Sequence, residues 1–300
     1  MSESSSTEKR QEAKEGRGKN ITIVLKFMRH GERNTQNELL ELGRETTRQR
    51  ARESKLTADD FDAVLPIGSN VDPRLPLDIG RSLETAQIYA REIAADKAPD
   101  AEPEDALNFK TLKSPTPYDH VQMYNSYLPT NYDQLDDEGK KAANKVAQQK
   151  LLNYVAALDT PEAQTYKKEI AGSFAYIIED YEKSATELDK DASVLVPAGT
   201  HGGTMEFLLQ QALVHRGPDG DFKIGFKSLD EIQGEFDPSE AYNVIVETDA
   251  EGNLKRPRVL FDNLARRQED MYLDQEKLKE LARFYSELHK DELEKVKYEY

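Results

Sequence analysis

The chain has 300 residues, 37% of them apolar and 33% charged, with a net charge of −16. That length holds one large domain or two ordinary ones, and so acidic a surface argues against nucleic acid and anionic lipid as partners. Cysteine is absent, which excludes disulfides and thiolate metal sites, and no apolar run reaches the ~18 residues of a membrane span.

Residues 1–20 are polar and charged with no apolar run. They are expected to form a disordered tail, because they bury nothing to offset chain entropy, and they carry no secretory signal. A cytoplasmic setting is the simplest expectation. Residues 21–300 read as a single domain.

Residues 21–27 (I-T-I-V-L-K-F) are apolar and rich in β-branched side chains, so they read as a buried strand. Residues 61–67 and 193–198 read as two more. Residues 242–248 and 258–262 flank D-A-E-G-N, a hairpin signal that pairs them antiparallel. Helical periodicity fills the gaps. One apolar face runs through Leu83, Ala86, Ala90 and Ile93, and a second through Ala143, Val146, Ala147, Leu151 and Val155. Further faces run through Phe174, Ile177 and Ile178, then Met205, Leu208, Leu209 and Leu213. Leu278, Leu281 and Tyr285 mark a C-terminal helix at about 273–296. Strands alternating with helices predict a three-layer α/β/α sandwich around a mostly parallel sheet.

Residues 99–135 break the pattern. They are rich in Pro, Asn, Asp and Tyr. A segment of this length is either a packed irregular connection or a lid over one end of the sheet.

Three groups of residues converge on that end. The first strand runs into Arg29-His30-Gly31, within F-M-R-H-G-E-R. The strand at 193–198 runs into G-T-H-G-G, with His201 and Gly202. The helix after the second strand opens with Gly80-Arg81-Ser82. Ligands of open α/β sheets bind outside the carboxyl ends of the strands. Arg29, Arg33 and Arg81 offer guanidinium forks suited to phosphate oxygens, while Gly31 and Gly202 let backbone approach closely. If the substrate is anionic, the pocket must be locally basic against an acidic surface.

These stretches resemble the histidine phosphatase superfamily, with its phosphoglycerate mutase-like fold. The Arg-His-Gly at residues 29–31, E-L-L-E-L-G-R-E at 38–45, G-R-S-L-E-T-A at 80–86 and T-H-G-G at 200–203 follow the family's order. The resemblance implies a phosphomonoesterase in which His30 attacks phosphorus and forms a phosphohistidine. Arg29, Arg81 and Arg33 would bind the phosphoryl oxygens, and His201 would hydrogen-bond the same group. It implies no metal or cofactor, and a phosphorylated small molecule or a phosphoprotein as substrate. A phosphoglycerate mutase-type phosphotransferase and an inactive phospho-ligand-binding module are the alternatives.

Two features depart from the family pattern. Gly202, not Asp, follows His201, which fits the mutase-like branch. Arg33, in contrast, gives an R-H-G-x-R pattern like that of the acid phosphatase branch, so it is either a phosphate clamp or a surface charge. The mutase-like branch also places a Glu, as general acid, after the second-arginine helix. Here Glu104 and Asp105 are the candidates, or are solvated turn carboxylates. Without an acid, the best substrates would be esters with good leaving groups. Arg44, Arg48, Arg50 and Arg52 read as a solvated helix face; His120 either touches substrate or is a surface residue, the latter being the simpler expectation, and His215 and His289 read as incidental. In G-E-F-D-P-S-E-A-Y-N, residues 234–243, the acids either select a polar substrate or solvate the turn, and the turn is the simpler expectation.

Overall fold

The structure, a computed structural model, describes residues 16–34, 38–69, 80–107, 120–217, 220–267 and 270–296. Its framework is a ten-stranded sheet with helices on both faces. β1 (Thr22–Arg29) is central. Ile23, Leu25 and Phe27 point to one face and Val24, Lys26 and Met28 to the other, as the two-residue strand period requires.

On one side of β1 the sheet is parallel. β5 (Ser193–Thr200) is its neighbour, followed by β3 (Ile67–Gly68) and β4 (Glu102–Pro103). β2 (Ala63–Val64) pairs with the start of β5. The strand expected over 61–67 is thus two short pieces broken at Leu65-Pro66, because proline has no N–H to give the ladder.

On the other side every pair is antiparallel. The order is β8 (Ala241–Glu247), β9 (Arg258–Phe261), β10 (Tyr272–Leu273), β6 (Leu213–Arg216) and β7 (Phe222–Ile224). The expected β8–β9 hairpin is present, but the expectation of a mostly parallel sheet holds only from β1 to β4. The three strands from β10 to β7 are two to four residues long, too short to show a sequence period. Leu213, expected to end a helical face, instead opens β6.

Helices α1 (Glu41–Glu53) and α2 (Arg81–Ala94) cover the face that holds Met28, against which Ala86, Tyr89 and Ala90 of α2 pack. The other face is covered by α5 (Pro161–Ala185), α6 (Met205–Ala212) and α7 (Gln275–Leu288). A short α8 (Lys290–Val296) follows α7. Phe174 of α5 meets Phe27 edge to face, with ring centroids 5.0 Å apart.

α4 (Asp137–Ala157) is capped by Asp136, whose Oδ1 accepts the Gly139 N–H at 2.8 Å. Only its second half joins the core: Ala147 and Val155 are buried, while Val146, expected on the core face, is 52% exposed. Its first half lies over the end of the sheet. The segment 99–135 is more structured than its composition suggests, carrying β4, a 3-10 turn at Asp105–Leu107, α3 (His120–Ser126) and a second 3-10 turn at Tyr132–Gln134. Tyr124 of α3 donates to Asn144 of α4 at 2.8 Å, tying this segment to the helix.

Residues 1–15 of the expected tail and 108–119 of the 99–135 segment lie outside the described residues. Gly18 N–H donates to the Leu188 carbonyl at 2.8 Å and Asn20 N–H to the Asp249 carbonyl at 3.0 Å. Among the described residues no helix is long and apolar enough to cross a membrane.

Candidate active site

The register of two parallel strands builds the centre. Arg29 of β1 lies beside Thr200 of β5, so the residue after each strand is a histidine, and the His30 N–H donates to the Thr200 carbonyl at 2.8 Å. The rings of His30 and His201 meet edge to face with centroids 5.3 Å apart. Both line a cavity of about 1140 Å³, with Arg29, Gly31, Arg33, Arg81 and Gly202. The chemistry-bearing residues expected from the sequence are therefore brought together, with Glu104 the exception.

Backbone contacts hold the loop after β1. A Cβ on Gly31 would stand 2.7 Å from the Gly43 carbonyl oxygen, and one on Gly43 would stand 2.5 Å from the Glu32 carbonyl oxygen. Two glycines thus allow α1 to press directly on the loop. From α2, the buried Thr85 hydroxyl donates to the Arg81 carbonyl at 2.8 Å and accepts the Gly31 N–H at 3.2 Å. The same side chain couples the second arginine to the loop after the first strand.

His30 is buried, and its Nδ1 lies 2.7 Å from the Gly31 carbonyl. A carbonyl only accepts, so Nδ1 carries the proton and Nε2 the lone pair. Burial holds its pKa well below that of free imidazole, and His201, Arg81 and Arg29 add to the shift. The ring is neutral at pH 7, with the Nε2 lone pair free of a proton.

His201 is also lowered, to about 3, by burial and then by Arg81, Arg33 and Arg29. Its Nδ1 is 3.2 Å from Arg81 Nη2. A guanidinium only donates, so Nδ1 accepts and Nε2 bears the proton, facing the Ser69 and Ser82 hydroxyls at 3.1 and 3.4 Å. His201 therefore steadies Arg81. The contact with Arg81 adds to the expectation that His201 hydrogen-bonds the phosphoryl group.

Arg29 Nη1 donates to the Phe236 carbonyl and lies 3.6 Å from Glu235 Oε2, while Nη2 is 3.4 Å from Gln148 Oε1. Its Nε has no hydrogen-bond partner among the described residues. Gly202 packs on this guanidinium, where a Cβ would come 2.5 Å from Nε.

The local charge opposes that of the whole chain. Arg29, Arg33, Arg50, Arg81, Lys140, Lys141 and Lys145 line the cavity against Glu32, Asp137, Glu235 and Asp237. Cations outnumber acids here although the protein is net −16. Arg50 was expected on a solvated face and instead reaches this wall. Arg44, Arg48 and Arg52 do pair on the surface, with Glu84, Glu41, Glu45 and Glu92. Tyr124 and Tyr132 bring the 99–135 segment to the cavity wall.

Glu104 is elsewhere. Its N–H donates to the Gly68 carbonyl at 2.9 Å, which sets the turn, and its Oε1 accepts the Ala106 N–H at 3.3 Å. Burial, with Asp105 and Asp180 nearby, raises its pKa. It lies among side chains of α5 and α7, where it affects Tyr181 and Tyr285, and does not line the cavity. Asp105 is exposed and is not on the wall either. His120 opens α3, but its side chain lies outside the described residues. His215 is buried, with Nε2 2.8 Å from the Gly225 carbonyl.

Glu235 belongs to the 234–243 loop, whose acids are expected either to select a polar substrate or, more simply, to solvate a turn; it faces the cavity instead of solvent. It is 5% exposed, lines the cavity, and is pushed up to about 7 by burial, against the pull of Arg29. One signal could have found it: β8 runs antiparallel to β1, so the loop entering β8 must end beside Arg29 and His30.

No protein-family model and no curated protein matches the sequence. Among solved structures the chain is similar to a mycobacterial glucosyl-3-phosphoglycerate phosphatase, at 15% identity, TM-score 0.41, covering 80% of this chain and 98% of that one. It is similar to a phosphoglycerate mutase from Bacillus anthracis, at 16% identity, TM-score 0.39, covering 79% and 92%. A Klebsiella phytase is similar at 11% identity, TM-score 0.42, covering 88% and 94%.

Proposed function

We propose that the protein is a phosphomonoesterase that works through a phosphohistidine on His30. The observation that carries this reading is the 2.7 Å contact between His30 Nδ1 and the Gly31 carbonyl, which leaves a neutral Nε2 in a cavity lined by Arg29 and Arg81. Nε2 attacks phosphorus and the ester oxygen leaves. The Nδ1–H bond to Gly31 then stabilises the charge that develops on the ring. Arg29, Arg81 and Arg33 neutralise the phosphoryl oxygens as charge spreads over them, with Gly202 giving the Arg29 fork room. His201 holds Arg81 in place and presents a polar edge to the same group. Water then attacks phosphorus and returns His30. The cavity, at about 1140 Å³, is far larger than one phosphate and leaves room for a sizeable alcohol portion.

The test is hydrolysis of an aryl phosphate with a chelator present. Activity falls by about 10³-fold or more in His30→Ala. Full activity in that variant overturns the proposal. Isomerisation of phosphoglycerate with little phosphate release would assign the phosphotransferase reading instead.

A further inference from the structure

We propose that Glu235 is the general acid and base of this reaction, which makes alkyl phosphates, with their poor leaving groups, accessible substrates. The inference rests on the phosphohistidine reading above. Four carboxylates line the cavity. Asp137 is exposed at the start of α4. Asp237 is half exposed and tied to Lys145 at 2.6 Å. Glu32 also has an unpartnered Oε2 among the described residues, but its side chain is 20% exposed and its Oε1 faces Lys141 at 3.3 Å. Glu235 alone combines deep burial with an oxygen, Oε2, that has no hydrogen-bond partner among the described residues, and it stands 3.6 Å from the phosphate-binding Arg29.

The site is built to hold it. The Glu235 N–H donates to Gln149 Oε1 at 2.9 Å, and its carbonyl accepts from Arg266 Nη2 at 2.6 Å. Arg266 is itself buried, forks onto both oxygens of Glu240 at 2.8 and 3.1 Å, and stacks on the Phe236 ring. Buried Glu206 spans the two loops of the site, accepting the Gly203 N–H at 3.0 Å and the Phe236 N–H at 3.2 Å. A loop that merely solvated a turn would have no need of two buried charged side chains to fix its backbone.

The groups facing the carboxyl are Arg29 from β1, Glu206 from α6, Lys145 from α4, Tyr124 from α3 and Asp237 from its own loop. Burial raises its pKa to about 7, with Glu206 and Asp237 adding and Arg29 and Lys145 opposing. Both protonation states are therefore present at neutral pH, as a group that gives and then takes a proton requires. In the first step the His30 Nε2–P bond forms, the P–O ester bond breaks, and the Glu235 proton passes to the leaving oxygen. In the second, water attacks phosphorus, its proton passes to the Glu235 carboxylate, and the P–N bond breaks.

The experiment compares kcat/KM of Glu235→Gln on an alkyl and an aryl phosphate. The alkyl ester is expected to lose about 10²–10⁴-fold and the aryl ester less than about tenfold, because a stable phenolate needs no proton. Equal losses on both, or none on either, overturn the assignment while leaving the phosphohistidine intact. Failure of the His30→Ala test overturns the underlying reading instead. If the variant does not fold, the wild-type pH profile decides. The alkyl kcat/KM should fall above about pH 7 while the aryl profile lacks that limb. Identical basic limbs overturn the assignment.

Discussion

The Glu235 carboxylate lies 3.6 Å from the Arg29 guanidinium, and both line the cavity beside His30. Attraction between them is real, yet burial outweighs it and Glu235 is raised to about 7. A carboxyl raised above its unfolded value, near 4.3, stabilises the fold fully only below that value. Its contribution is lost as pH rises through about 7. Glu235→Gln should therefore raise the melting temperature at pH 8 and leave it nearly unchanged at pH 4. A gain that is the same at both values would mean that the wild-type carboxyl is not held up by the fold.

The histidines have the opposite sign. His201 is lowered to about 3, so the unfolded chain binds a proton near pH 6.5 that the folded chain refuses. Stability should fall as pH drops from about 6.5 toward about 3. His201→Asn should flatten that slope in urea titrations at pH 4 and pH 7. An unchanged slope would place the acid sensitivity elsewhere.

Gly43→Ala should destabilise the protein although alanine is the better helix former. The new Cβ would meet the Glu32 carbonyl oxygen at 2.5 Å and the Glu32 nitrogen at 2.6 Å, both main-chain atoms that can only move together. A loss of about 1–3 kcal/mol in denaturant unfolding is expected, with reduced turnover as the His30 loop shifts. A stabilised and fully active variant would show that the contact has room to relax.

How much of this was legible beforehand follows from what each element had to reveal. β1, β5 and the β8–β9 hairpin carry long apolar runs or a turn signature, so they could be read. The strands from β10 to β7 are too short to show a period, so the antiparallel half of the sheet is legible only in its β8–β9 hairpin. His30, His201 and Arg81 stood in recognisable motifs because backbone geometry ties each to the end of a strand or the start of a helix. Glu235 stood in none: its place depends on the β1–β8 register and on Arg266, 31 residues away in sequence. Glu104 looked suitable by position, but a hydrogen bond to Gly68 turns it toward the α5 and α7 face.

Lys26 and Asp262 provide a control away from the chemistry. Their ion pair is 2.6 Å long, and Lys26 is 1% exposed in mid-strand. Asp262→Ala leaves a buried ammonium without its counter-charge and should cost about 3–5 kcal/mol in unfolding free energy. The KM for an aryl phosphate should not change, since neither residue lines the cavity of His30. A changed KM would couple this pair to the site.

The phosphohistidine itself is the most direct measurement. The enzyme should be mixed with excess aryl phosphate, quenched in alkali within one turnover, and mapped by peptide mass. An acid-labile, alkali-stable phosphoryl group on the peptide bearing His30, absent from His30→Ala, is the expected result. Steady phosphate release with no phosphorylated protein, or a phosphoryl group on any other residue, would contradict the account.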